Sequence, residues 1–149
     1  MLGWDRPGHE TALTVRRREM LLGNEQLIKL ADQLYKQHLP AFYAKQWVTV
    51  AKVPRYRLSN TVFTTIYVAR NFRTAYHRDR NNLAGVMTCL MPMGSFEGGA
   101  LVLPRFRIAI AFRPGDVLFF DPNQFHGNLP FKGERVSIAL YCGGWVTSG

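Results

Sequence analysis

The sequence predicts a mainly β protein with N-terminal helices: a double-stranded β-helix, or jelly roll, with a helical layer on one sheet. Three observations predict it. Helical periodicity is confined to the residues before about 50, short β-rich runs follow from residue 61, and Gly, Pro or Asn stands at nearly every junction between those runs. At 149 residues the chain is one domain, large enough to bury a core and too short for a second.

The elements follow in order. Residues 1–23 read as a flexible basic lead-in, polar and interrupted by Gly3, Pro7, Gly8 and Gly23. A single domain over 24–149 follows it. Asn24 is a good N-cap, and Leu27, Leu30, Ala31 and Leu34 recur at i, i+3, i+4 and i+7, which predicts an amphipathic helix over about 25–38. Pro40 favours a first helical position and starts a second short helix through about Trp47. Helices therefore occupy about 25–50 and the β-helix about 57–146. Candidate strands are 62–69, 85–91, 99–103, 107–112, 116–120 and 135–141, with turns at Gly98-Gly99 and Pro114-Gly115. The chain shows no internal repeat and no low-complexity tract.

Composition limits the function classes. A hydrophobic content of 47% with 13% aromatics excludes a disordered chain. No apolar run approaches the length of a membrane span, and the N-terminus lacks the basic-then-apolar layout of a signal peptide. Cys89 and Cys142 lie in apolar strand-like contexts and read as reduced core thiols of an intracellular protein, nuclear in a eukaryote and cytoplasmic in a prokaryote or phage. The net charge is +9, with arginines grouped at 16–18, at 55 and 57, at 70, 73, 78 and 80, and at 105, 107 and 113. A basic field of this kind steers and holds a polyanion, most commonly nucleic acid.

The chemistry is concentrated in three places. His77 and Asp79 are two residues apart after the strand-like run 62–69, so on a strand they share a face. His126 arrives after the turn Arg113-Pro114-Gly115-Asp116 and the apolar run 117–120. Two imidazoles and one carboxylate form a facial set that binds Fe(II) and leaves positions open for a co-substrate and O2. Nine residues later, Arg135 opens a strand and offers a planar fork suited to a carboxylate. Metal triad and downstream arginine together meet the requirement of a 2-oxoglutarate-dependent, non-haem iron dioxygenase. Arg135, Ser137 and Tyr141 are separated by even steps and share one strand face.

Two stretches resemble a known family. His77-Arg78-Asp79-Arg80-Asn81-Asn82, with Thr88-Cys89-Leu90 after it, is similar to the HxDxx[N/D] motif of the Tet/JBP group. Arg135-Val136-Ser137-Ile138-Ala139-Leu140-Tyr141 resembles that group's RxSxxx-aromatic strand. The group comprises 2-oxoglutarate dioxygenases that oxidise the 5-methyl group of pyrimidines in DNA, and the resemblance covers about residues 57–146. It implies that His77, Asp79 and His126 hold the catalytic iron and that Arg135 pairs with the distal carboxylate of 2-oxoglutarate, with Ser137 bonding the same group. It implies that Arg73 reaches the other carboxylate, that Asn82 contacts the polar edge of the flipped target base, and that Tyr141 stacks on its face.

The implied cofactors are Fe(II), 2-oxoglutarate and O2, with ascorbate as an accessory reductant. The implied partner is methylated DNA, bound by a monomer away from any membrane. The cysteine-rich zinc region of animal Tet enzymes is absent from the sequence, so the chain looks like the compact microbial, fungal or phage members. Tyr141 stands where AlkB-type repair enzymes carry a second arginine, which argues against alkyl-lesion repair. Two other readings keep the same residues: a 2-oxoglutarate dioxygenase acting on a protein side chain or small molecule, and a non-catalytic jelly-roll DNA-binding module.

Overall fold

The computed structural model describes residues 2–147. The chain runs β1 (Leu2–Arg6), β2 (His9–Glu10), α1 (Ala12–Arg16), α2 (Arg18–Gly23), α3 (Glu25–His38) and α4 (Pro40–Val50). Then follow β3 (Thr65–Arg70), β4 (Thr88–Gly98), β5 (Leu101–Leu103), β6 (Ile108–Ile110), β7 (Leu118–Phe120), β8 (Gly127–Asn128) and β9 (Phe131–Tyr141). Six strands form one sheet in the order β2-β1-β3-β9-β4-β7, and three form a second in the order β6-β5-β8. Every pairing is antiparallel. Two sheets with helices on one side match the predicted architecture. Among the described residues no helix is long and apolar enough to cross a membrane.

The lead-in differs from expectation. Residues 2 and 3 pair with Ile66 and Thr65 of β3, and Leu2 is buried in the main core. Thr11 caps α1, and the Thr14 hydroxyl accepts from the Gly3 amide at 2.6 Å. The Gly8 amide donates to the Tyr56 hydroxyl at 2.9 Å. Far-off partners, not a local pattern, hold this segment in place, so its glycines and arginines read as loop.

Helix α3 spans the predicted residues, but its buried stripe is Ile28, Ala31 and Tyr35, whereas Leu30 faces solvent. Asn24 occupies the cap position without capping; its amide donates instead to the Met20 carbonyl at 2.6 Å. Asp32, on the same helix, accepts from the Val62 amide (2.8 Å) and the Tyr43 hydroxyl (3.0 Å), tying α3 to α4 and to the approach to β3.

The strands β4 and β9 run eleven residues each, in register from Cys89 opposite Leu140 to Gly98 opposite Phe131. The expected strand 85–91 therefore continues through Pro92, Gly94 and Gly98, residues that locally signal a break. Cross-strand pairing overrides such weak local preferences. The main core lies between the helices and the large sheet, with Ile28, Tyr35, Val50, Phe63, Ile66, Cys89, Met91 and Leu140 within it. A smaller cluster of Leu101, Leu103, Phe112 and Phe120 sits between the sheets. Burial pushes the thiols of Cys89 and Cys142 up to about 12, and both are unpaired.

Candidate metal centre and active site

A cavity of about 680 Å³ opens between the two sheets, and seven of the eight predicted site residues line it. The His77 and His126 backbones form a two-residue antiparallel bridge, each amide donating to the other carbonyl at 2.9 Å. The Asp79 amide donates to the Pro122 carbonyl at 2.9 Å. The loop before His126 is ordered by Asp121, which accepts from the Asn123 amide (3.0 Å) and from the Gln124 side chain (2.9 Å). His77 and Asp79 thus sit on a short bridged segment, not on the continuous strand that the sequence suggested.

Their side chains converge. His77 Nε2 is 2.9 Å from one Asp79 oxygen and His126 Nε2 is 4.0 Å from the other. The three ligand atoms lie within 4.8 Å of one another. Each imidazole has its Nδ1 2.8 Å from a backbone carbonyl, Ala75 for His77 and Gln124 for His126. That contact keeps the proton on Nδ1 and leaves the Nε2 lone pair for a cation, the second-sphere arrangement of metal-binding histidines. Burial lowers the His126 pKa, which also favours the neutral ligand form. The donor set fits Fe(II).

Arg135 is 2% exposed, and no carboxylate pairs with it among the described residues. Its Nε donates to Ser137 Oγ at 3.0 Å and its Nη1 to the Gly99 carbonyl at 2.9 Å. The rings of Phe96, Phe112 and Phe131 surround the guanidinium at 5.3, 5.5 and 5.3 Å. Burial lowers its pKa from the ordinary arginine value. Gly99 has φ +73, and a Cβ there would come within 2.4 Å of Nη1, so a side chain at this position would strain the backbone and displace the guanidinium. A desolvated cation without its own acid suits an anionic ligand supplied from the cavity.

Asn82 donates to the Thr88 hydroxyl at 3.1 Å, and its backbone bridges Gly143. Tyr141 lines the cavity, with its pKa raised mainly by burial. Arg73 is the exception. It is not on the cavity wall, and its Nε donates to the Asn128 carbonyl at 3.3 Å. Arg78 and Arg80 do line the cavity.

In the sequence Thr88 stands only within the resemblance and Gly99 only in a turn, and neither their place at the site nor the three-phenylalanine cage is read there. Thr88 was legible in principle, because it alternates with Leu90 on β4 and both line the cavity. The cage draws on β4, on β9 and on the segment after β6, and no local spacing announces it.

Comparisons with known proteins bear on the family and the fold. The Tet/JBP family model, described as the oxygenase domain of the 2OGFeDO superfamily, matches residues 9–143. The bifunctional helicase and thymine dioxygenase JBP2 of Trypanosoma brucei brucei is 42% identical over 126 residues, 79% of this chain and 12% of that protein. Thymine dioxygenase JBP1 of Crithidia fasciculata is 32% identical over 103 residues, 68% of this chain and 12% of its own length. The chain thus spans about 12% of the length of these curated relatives. The solved structure of NgTET1 in complex with 5mC DNA superposes with a TM-score of 0.74 at 18% identity, covering 93% of this chain and 56% of that one. That superposition shows the shared jelly-roll fold.

Proposed function

The chain belongs to the Tet/JBP oxygenase family, and from that premise we propose that it is an Fe(II)- and 2-oxoglutarate-dependent dioxygenase hydroxylating the C5-methyl group of 5-methylcytosine or thymine in DNA. One observation carries the reading. Buried Arg135, without a carboxylate partner among the described residues, faces the same cavity as the His77–Asp79–His126 set. A metal site alone suits many activities; a metal site beside an unmatched buried arginine calls for an anionic co-substrate.

In this reading His77, Asp79 and His126 hold the iron. Arg135 receives the distal carboxylate of 2-oxoglutarate through its fork, and Ser137 holds the arginine's Nε in place while bonding the same carboxylate. The phenylalanine cage excludes water and strengthens that pair. When bound, the iron and 2-oxoglutarate supply the O2-dependent oxidation that inserts hydroxyl into a C–H bond while 2-oxoglutarate becomes succinate and CO2, with ascorbate maintaining the reduced metal. Asn82, held by Thr88, meets the polar edge of an extruded pyrimidine, and Tyr141 supplies the face on which it stacks. Arg78 and Arg80 at the cavity attract the phosphodiester backbone. The 42% identity to a thymine dioxygenase supports a 5-methylpyrimidine as substrate.

Incubation with Fe(II), 2-oxoglutarate and DNA containing 5-methylcytosine or thymine, followed by nucleoside mass spectrometry, tests the proposal. The expected product is the 5-hydroxymethyl nucleoside, formed only when 2-oxoglutarate is present. Succinate release with no base oxidation would point to a protein or small-molecule substrate. DNA binding without 2-oxoglutarate turnover on any substrate would point to a non-catalytic module.

A further inference from the structure

A second cavity, of about 380 Å³, lies directly beside the first and shares Arg80, Asn81 and Tyr141 with it. Its other walls are Asp5, Gly143, Gly144 and Trp145. The volume is within the range of cavities that hold small ligands, about 300 Å³ and above. The metal set, Arg135 and Ser137 are not among its lining residues, so the proposed metal and co-substrate sites lie outside it.

The walls of this annex are built from opposite ends of the chain. The Gly144 amide donates to the Asn81 carbonyl at 2.7 Å, and the Gly143 backbone bridges Asn82, fixing the C-terminal segment against the metal-binding loop. Trp145 is half-buried and immobilised on two sides. Tyr56 meets its ring edge-to-face at 5.1 Å, and Gly143 lies so close beneath the indole that a Cβ would strike it. Trp145 is also a lining residue of the annex, so its indole offers aromatic surface there to a flat ring. Arg80 is exposed and forms no ion pair among the described residues, so its charge is available at the junction of the two cavities. Asp5 takes His9 Nδ1 on one oxygen at 2.8 Å. A carboxylate on the wall disfavours a purely anionic occupant and accepts hydrogen bonds from an amino edge.

An aromatic plane, a cation at the shared rim and an acceptor opposite match one nucleotide: base on indole, phosphate on guanidinium, exocyclic amino group toward carboxylate. We propose that the annex holds the nucleotide adjacent to the target in the DNA strand, with its base stacked on Trp145 and its phosphate on Arg80. Tyr141, common to both cavities, then separates the target base from its neighbour. This rests on the methylpyrimidine-DNA reading and adds to it a site that reads sequence context.

The test uses oligonucleotides carrying one 5-methylpyrimidine, either intact or with an abasic site immediately 5′ or immediately 3′ of it. For the unaltered protein, one of the two abasic substrates should lose about 5- to 150-fold in kcat/KM, the loss of one aromatic–base stack. Equilibrium binding of the same three oligonucleotides without iron should follow the same order. Trp145→Phe should retain the discrimination, and Trp145→Ala should treat the intact substrate and the sensitive abasic substrate alike. Arg80→Ala should weaken both intact and abasic substrates. Full abasic sensitivity in Trp145→Ala, or none in the unaltered protein while it oxidises the base, would overturn the annex alone. No oxidation of any of these substrates would overturn the substrate reading and the annex with it.

Discussion

On strand β9 and just beyond it, Ile138, Leu140 and Cys142 turn to the helix-backed core, while Arg135, Ser137, Ala139 and Tyr141 turn to the cavity. Strand β4 divides in the same way, Cys89 and Met91 to the core and Thr88 and Leu90 to the cavity. One backbone thus serves two regions of opposite character because successive side chains leave a strand on opposite faces. The core side is apolar, and its thiols resist ionisation. The cavity side concentrates the candidate metal set of His77, Asp79 and His126, a caged arginine and hydrogen-bonding groups. Stability and chemistry are therefore interleaved along the sequence yet separated in space, and substitutions one residue apart should have unrelated consequences.

The largest expected effect is on the cavity side. His77→Ala, Asp79→Ala and His126→Ala should each abolish turnover and Fe(II) binding while leaving the melting temperature of the metal-free protein within a few degrees. Turnover by Asp79→Ala at the parent rate would break the comparison, since the metal would have lost its only carboxylate. Next, on the opposite face, Leu140→Ala should destabilise the fold by about 3 kcal/mol, as truncation of a fully buried leucine leaves a cavity. Its kcat/KM per folded molecule should stay near the parent value. Chemical denaturation and steady-state kinetics on the same preparation separate the two quantities.

Tyr141→Ala and Asn82→Ala sharpen the comparison within the cavity itself. Each should cost about 5- to 150-fold in oxidation of methylated DNA, and 2-oxoglutarate affinity should hardly change. Asn82→Asp should shift the preference between methylcytosine and thymine, because a carboxylate accepts but does not donate. Oxidation at the parent rate by both alanine variants would remove them from the base pocket.

The smallest effect belongs to the core thiols. Both states of the protein keep Cys89 and Cys142 protonated below about pH 8.5, the ordinary thiol value, so stability there is independent of these groups. Above it the unfolded chain ionises while the folded pKa stays at about 12. Stability should therefore fall as pH rises through that window, and thiol reagents at pH 8 should label both cysteines only on unfolding. Rapid labelling of native protein would contradict the burial of this face.

What was legible in the sequence follows the same division. The even spacing of Arg135, Ser137 and Tyr141 announced a shared face because strand periodicity is local. The order of His77, Asp79 and His126 announced a metal set because few other chemistries need those three groups together. Placement of Arg73 on the Asn128 carbonyl left no such mark, since a lone arginine among several carries no spacing signal. The Phe96–Phe112–Phe131 cage was equally silent: aromatic residues in strands read as ordinary core until the fold brings them around one guanidinium. The pairing of Leu2–Arg6 with β3 depends on partners some sixty residues away. The α3 stripe was offset because its burial is set by the sheet it packs against.

Among the described residues Arg135 is buried without a carboxylate beside it, and the proposed function gives it 2-oxoglutarate as its partner. Titration of 2-oxoglutarate into the Fe(II)-loaded protein under anaerobic conditions, by calorimetry, measures that partnership directly. Arg135→Lys keeps the charge and removes the fork, so affinity should weaken about 5- to 150-fold, equivalent to roughly 1–3 kcal/mol for a charge-assisted hydrogen bond. An unchanged affinity in a folded Arg135→Lys protein would mean that another cation holds the carboxylate, and the cavity face of β9 would lose its assigned role.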